Sequence, residues 1–180
     1  MFLNAWHVAT MGFKFVGQNV QISDKAVFYN IRNISIGDNS RIDDFCILSG
    51  KEINIGRYVH LACYSQIVGQ GVVTMEDYSA LSAKSSIFSS TDSYDGEYMT
   101  NPCVPESVRN TTHGFVTIGR HVVIGAGSII LPNVKLHDGC AVGALSLVRN
   151  TFPPNTIIAG IPAHDRGVRK GNIFELEKTI

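Results

Sequence analysis

From Ile118 onward an aliphatic side chain returns at every sixth residue: Ile118, Ile124, Ile130, Leu136, Val142 and Val148. The same step runs through Val16, Ile22, Phe28 and Ile34, then Ile36, Ile42 and Leu48. It continues through Ile55, Leu61, Ile67 and Val73, and through Met75, Leu81 and Ile87. An amphipathic helix returns at three and four residues, and a half-buried strand alternates at two. A coil of three flat faces returns at six, with one short strand and one corner per hexad and the aliphatic pointing inward.

Two further rules accompany the period. Four residues after each aliphatic stands a small or compact side chain, as at Ser40, Cys46, Val59, Ser65, Ser79, Ser85, Val122, Ser128, Val134, Cys140 and Ser146. Glycine often follows the aliphatic directly, as in Ile36-Gly37, Ile55-Gly56, Ile118-Gly119, Ile124-Gly125 and Val142-Gly143. Small residues fit a crowded corner, and Gly, Asn or Asp tolerates the positive φ that some corners need. The fold class implied is an all-β parallel solenoid, a prism of stacked coils. A β-sandwich of short strands is the competing fold, but its spacings would vary.

The remaining composition removes other classes. At 180 residues the chain suits one domain, and with 44% hydrophobic and 17% charged residues it is not a disordered chain. Fifteen basic residues balance fifteen acidic ones, so no whole-chain attraction to nucleic acid or membrane is expected. No apolar run reaches the length of a membrane span, and the start "MFLNAWHVATMGFKF" lacks signal-peptide character. Cys46, Cys63, Cys103 and Cys140 form no CxxC and read as buried thiols of a reducing compartment, the cytoplasm.

The hexad pattern, with Gly160-Ile161-Pro162-Ala163 near the end, strongly resembles the left-handed parallel β-helix of the hexapeptide-repeat acyltransferases. The left hand comes from that resemblance and runs against the usual right-handed crossover. It implies a single domain with an N-terminal cap (1–15), about six coils (16–152) interrupted by a loop (88–115), and a tail (153–180) ending in a short helix. It implies a homotrimer whose grooves between subunits take the pantetheine arm of acyl-coenzyme A, with no metal. The stretches "IGAGS" (124–128) and "VGALS" (142–146) resemble the family's coenzyme-A segments. Gly125, Ala126, Gly143 and Ala144 are thereby donor-contact candidates, with Arg149 nearby. Arg166 and Arg169 offer guanidinium groups to its phosphates.

The interruption "STDSYDGEYMTNPCVPESVRNTTHG" (90–114) is too long for an idle connection. Tyr94, Tyr98, Met99 and Val104 give it side chains that can pack. In sugar acetyltransferases of this class a comparable loop covers the acceptor. Tyr94, Asp95, Glu97 and Asn101 are on this basis the substrate-contact candidates.

Acyl transfer needs a base for the attacking group and a donor for the oxyanion. Galactoside-type relatives carry a histidine near the loop's start, where this chain has Asp92. Three candidates remain. His60 follows an Ile-Gly-x-x-Val as in amino-sugar N-acetyltransferases, and lies just before the inward Leu61, so its ring should project onto a prism face. Asp92 ranks second and His113, at the loop's end, third. A free amine is already nucleophilic, so the absent loop histidine points toward an amino-sugar acceptor; the resemblance implies that this sugar is nucleotide-linked and of the kind used in surface polysaccharides such as O-antigen. The alternative is a galactoside-type O-acetyltransferase. A zinc carbonic-anhydrase-like protein wants a histidine trio that is not evident here, and a bare scaffold leaves the polar loop without purpose.

Overall fold

The hexad aliphatics form three inward ladders along one axis. In the computed structural model, which describes residues 1–180, parallel pairing runs Val16, Ile36, Ile55, Met75, Ile118 and Leu136 on the first face. Ile22, Ile42, Leu61, Leu81, Ile124, Val142 and Ile158 stack on the second. Phe28, Leu48, Ile67, Ile87, Ile130 and Val148 stack on the third. Every hexad aliphatic from Ile34 to Val148 is buried, while Val16 and Phe28 in the first coil are half-buried. Many of the strands are only two residues long. Burying each aliphatic stabilises by roughly 1.5–3 kcal/mol, so the inward ladders, more than any one strand, hold the prism together.

The stack runs one rung further than expected. Phe152 bridges to Leu136, and Thr156–Gly160 pairs in parallel with Ala141 and Val142. Ile158 is fully buried, so the segment from 152 to 160 closes a seventh rung instead of beginning a tail. Pro153 and Pro154 occupy its corner. The chain then doubles back as Ala163–Val168, antiparallel to 156–160, and covers the open edge.

The small residues do more than fit the corners. Ser40, Ser85 and Ser128 each donate a hydroxyl to the carbonyl of the glycine that follows the inward aliphatic one coil on: Gly56 at 2.8 Å, Gly125 at 2.9 Å and Gly143 at 3.0 Å. Ser40 and Ser128 also accept the amides of Val59 and Ser146. Ser128→Ala leaves the Ser146 amide without its partner, while the Gly143 carbonyl keeps the Ser146 hydroxyl at 2.7 Å, and is expected to cost about 1–3 kcal/mol, measured as a fall in denaturation midpoint. The glycines are required by close approach: a Cβ on Gly125 would lie 2.5 Å from the Ala144 nitrogen, and one on Gly37 2.6 Å from the Gly56 carbonyl carbon.

The positive-φ corners follow expectation only in part. Asn19, Asn39, Asn133, Asn155, Gly127 and Gly139 hold some of them, but Phe45, Tyr58, Tyr64, Tyr78, Lys84, His121 and Leu145 hold others. Left-handed backbone costs a non-glycine residue of order 1–3 kcal/mol. Stacking offsets part of that: Tyr58 on Tyr78 at 5.0 Å, Tyr78 on His121 at 4.9 Å, and Phe45 on Tyr64 at 4.8 Å between ring centroids. Phe174, in the short helix Ile173–Leu176, meets His121 edge-on, and Glu177 binds both Arg120 and His121, which fastens the C-terminus to this corner.

All four cysteines are free. Cys46 and Cys140 are buried, with burial raising their thiol pKa, but Cys63 is half-buried and Cys103 exposed, unlike the uniform burial expected.

Candidate active site

The interruption leaves the prism at Ser89 and returns at Gly114, and both ends are clamped by one corner of the coil beneath. The amide of Gly71 donates to Ser89 Oγ at 3.1 Å, that of Gln70 to Ser90 Oγ at 2.7 Å, and that of Gly114 to the Ser89 carbonyl at 2.9 Å. From this base Ser90–Asp92 and Thr111–His113 rise as an antiparallel hairpin that pairs Ser90 with His113 and Asp92 with Thr111. The loop's order comes from this backbone pairing and not from apolar packing. Tyr94, Tyr98 and Met99 are exposed, and only Val104 is half-buried.

Between hairpin and prism lies a cleft of about 1230 Å³. Its floor is the third face, where Val68, Phe88, Ile129, Leu131 and Leu147 present outward apolar side chains. Its walls carry Gln70, Ser90, Thr91, Asp92, Tyr94, Glu106, Arg109, Asn110, Thr111 and His113. Two of the three candidate bases therefore converge here.

Asp92 is half-buried. Its Oδ1 accepts the Thr111 hydroxyl at 2.8 Å and its Oδ2 the Asn101 amide at 3.2 Å. These two bonds hold its carboxyl below the ordinary range, so it is ionised at neutral pH. His113 Nδ1 lies 2.7 Å from Ser90 Oγ, which already accepts the Gln70 amide and is free to donate its own proton to the ring. That bond fixes the imidazole and leaves Nε2 for a ligand.

His60 lies elsewhere. It projects outward from the second face, as its position before Leu61 implies, with Nε2 2.9 Å from Asp43 Oδ2. Arg41 Nε sits 2.6 Å from the other oxygen of that carboxylate. Partial burial pushes the Asp43 carboxyl up, and the bonds from Arg41 and His60 outweigh it, so its pKa is lowered. The arrangement is a histidine oriented by a carboxylate, remote from the loop cleft within one protomer.

Of the substrate candidates, Tyr94 lines the cleft rim. Asp95 turns its Oδ1 to the Glu97 amide at 2.9 Å, and Asn101 serves Asp92 through its backbone and the Cys103 amide through its side chain. Asp95, Glu97 and Asn101 are absent from the lining. Gly125 and Gly143 sit at the same corner of successive coils, with Ala126 and Ala144 exposed beside them, so above Tyr64 and Lys84 this edge of the prism carries no bulk until Leu145. Arg149 is exposed just after the third-face strand Leu147–Val148. Arg166 Nε reaches the Ala159 carbonyl at 3.3 Å. Arg169 braces a different corner, donating to the carbonyls of His121 at 2.8 Å and of Gly139 and Cys140 at 3.3 Å. Those contacts account for Arg169 without a ligand.

Gln70, Ser90, Asn110 and Arg109 also line the cleft, and neither the hexad period nor the resemblance marks them. One signal was available: Arg109 is the only Lys or Arg between Phe88 and Phe115. No group of three or more His, Cys, Asp or Glu side chains is placed to hold a metal ion.

A prism of hexads, a small-residue edge and a polar hairpin over an apolar floor together define a class of protein. Residues 115–150 match the bacterial transferase hexapeptide (six repeats) family. The chain belongs to the hexapeptide-repeat acyltransferases, whose left-handed β-helix it adopts. It is 51% identical to the dTDP-4-amino-4,6-dideoxy-D-glucose acyltransferase of Escherichia coli, over 99% of this chain and 94% of that protein. It also superimposes on AntD, an N-acyltransferase from Bacillus cereus, with a TM-score of 0.96 and 40% identity, covering 99% of this chain and 96% of that one. AntD has been solved with dTDP-4-amino-4,6-dideoxyglucose and coenzyme A, and with dTDP and 3-hydroxybutyryl-CoA. Identity to the galactoside O-acetyltransferase of E. coli K12 is 31%, over 71% of this chain and 60% of that protein.

Proposed function

We propose that the chain transfers an acetyl or other short acyl group from acyl-coenzyme A to the amine of a dTDP-linked amino-dideoxy sugar. The observation that carries this reading is the 51% identity to a dTDP-amino-sugar acyltransferase along 99% of the chain. The site agrees with it. An amine acceptor needs no strong base, and the cleft offers a carboxylate of lowered pKa where galactoside-type relatives carry histidine.

In this reading the acceptor lies in the loop cleft with its amine at Asp92. The carboxylate holds the ammonium form and orients the neutral amine once its proton has left. The nitrogen attacks the thioester carbonyl, a C–N bond forms, and the C–S bond breaks to release coenzyme A. Attack makes the nitrogen cationic and strongly acidic, so a carboxylate suffices to take its proton and pass it to the departing thiolate. His113 Nε2, left free by the bond at Nδ1, meets an acceptor oxygen in this reading. The donor's pantetheine arm runs along the edge bearing Gly125, Ala126, Gly143 and Ala144, with Arg149 and Arg166 toward its phosphates. Asp92 therefore moves ahead of His60, which would act only on a ligand held by another copy.

The active assembly is a homotrimer. The outward row of the first face is mostly polar, with Ser35, Asn54, Thr74, Thr117 and Lys135. Outside the cleft the third face instead carries Val27 and Ile47, and the hairpin adds exposed Tyr98 and Met99. Such a surface is suited to burial against a second copy. Light scattering should return the mass of three chains. No helix is long and apolar enough to cross a membrane, and we place the enzyme in the cytoplasm, where acyl-coenzyme A and activated sugars are made.

The deciding assay offers acetyl-coenzyme A with dTDP-4-amino-4,6-dideoxyglucose, a UDP-linked amino sugar and simple galactosides, following thiol release. Turnover confined to the nucleotide-linked amines supports the reading. Preferential turnover of galactosides replaces it with O-acetylation.

A further inference from the structure

The loop cleft contains a guanidinium with nothing to hold. Arg109 is half-buried, and its Nε is shut away from solvent with no hydrogen-bond partner. By contrast, Arg41, Arg57 and Arg120 face carboxylates, and Arg166 and Arg169 face backbone carbonyls. A buried donor left unpaired costs about 1–3 kcal/mol, and no side-chain hydrogen bond or ion pair within the chain holds the rest of the guanidinium, so its charge is left for a ligand in the cleft that Arg109 lines.

The backbone around Arg109 is fixed. Its amide donates to the Glu106 carbonyl at 3.1 Å, the Met99 amide donates to the Val108 carbonyl at 2.9 Å, and the Ser93 amide to that of Asn110 at 2.9 Å. Arg109 is the single Lys or Arg of the cleft wall, two residues from Thr111, which anchors Asp92. One wall therefore presents a guanidinium and a carboxylate side by side, over an apolar floor. The other carboxylate in the wall, Glu106, opposes a freely placed anion, so the ligand must carry a cationic group as well as an anionic one.

We propose that Arg109 binds the diphosphate of the nucleotide-sugar acceptor, and with Asp92 reads that substrate as a dipole. The inference rests on the acyltransferase reading above. A 4-amino sugar diphosphate carries its ammonium on C4 and its diphosphate on C1, one ring apart, which matches a carboxylate and an arginine on one wall. The planar fork of Arg109 suits two phosphate oxygens at once, which lysine cannot reproduce. The C6 methyl of a dideoxy sugar falls to the apolar floor at Phe88, Ile129 and Leu131. Galactosides lack both charges and are discriminated against at the same residues.

The test compares wild type, R109Q and R109K by calorimetric titration with dTDP and, separately, coenzyme A, alongside steady-state kinetics. R109Q should weaken dTDP by about tenfold to a hundredfold. It should raise the acceptor KM by a similar factor while kcat at saturation stays nearly level, and coenzyme A affinity should not move. R109K should recover only part of the loss and carries the test if R109Q fails to fold. Unchanged dTDP affinity in a folded variant overturns the inference and leaves the acyltransferase reading standing, as does a loss confined to coenzyme A. If wild-type protein neither binds dTDP nor acylates its amino sugars, the functional reading itself falls.

Discussion

Asp92→Asn is expected to lower kcat/KM for the amine acceptor by about 10²–10⁴-fold, the largest kinetic effect of any single replacement in the cleft. The substitution preserves shape: an amide oxygen still accepts the Thr111 hydroxyl that now sits 2.8 Å from Oδ1. It removes the charge, and it turns an NH₂ toward the Asn101 amide that now donates to Oδ2. The loss should be catalytic, with acyl-coenzyme A still bound and the melting temperature little changed. The pH profile separates Asp92 from the histidines. Asp92 has a lowered folded pKa, so it remains ionised well below neutrality and contributes no limb near pH 7. The wild-type rate should therefore rise with pH as the acceptor's own ammonium loses its proton. A limb near the ordinary histidine pKa of about 6.5, present in wild type and lost in His113→Asn or His60→Asn, would move the base to that residue. His60→Asn is expected to change kcat by less than about tenfold, because His60 is bonded to Asp43 on the second face, away from the loop cleft. A hundredfold loss there with Asp92→Asn silent would place the chemistry on that face.

The prism was legible because one physical requirement repeats: each hexad must bury one aliphatic, so Ile118 through Val148 could be counted straight off the chain. The seventh rung was harder to see because Pro153-Pro154 reads as a stop signal. In three dimensions the prolines only round a corner, and Ile158 resumes the second ladder. The positive-φ corners escaped local rules because Tyr58, Tyr78 and His121 are stabilised by neighbours a coil away, whose stacking no short window contains. The site was half legible for a similar reason. The broken period located the loop, and Asp92 stood out as a departure at its start. Arg109 and Gln70 enter the cleft through hairpin register and a corner of another coil, and these are tertiary facts. His60 lies on an outward face, as the inward Leu61 beside it implies, but its partner Asp43 comes from the preceding coil.

Gly71→Ala tests whether the loop's clamp sets the chemistry. A Cβ built on Gly71 would lie 1.7 Å from the Gly114 carbonyl oxygen and 2.9 Å from that of Ser89. These are backbone atoms of the two strands that leave and re-enter the prism, so no side-chain rotation relieves the clash. The corner must open, which lifts the hairpin that carries Ser90, Asp92 and His113 from the third face. Overpacking of this kind costs about 1–3 kcal/mol or more, while a shift of about 1 Å in a reacting group is enough for a loss near a hundredfold. The ladders on either side remain intact, because Ile67, Val73 and Ile87 keep their inward positions. The variant should therefore melt a few degrees lower yet keep its β-rich circular dichroism, bind coenzyme A as before, and turn over the amino sugar at about one hundredth of the wild-type rate or less. Near-normal turnover in a folded Gly71→Ala protein would show that the acceptor does not depend on where this hairpin stands, and would remove the cleft between hairpin and prism as the site of acyl transfer.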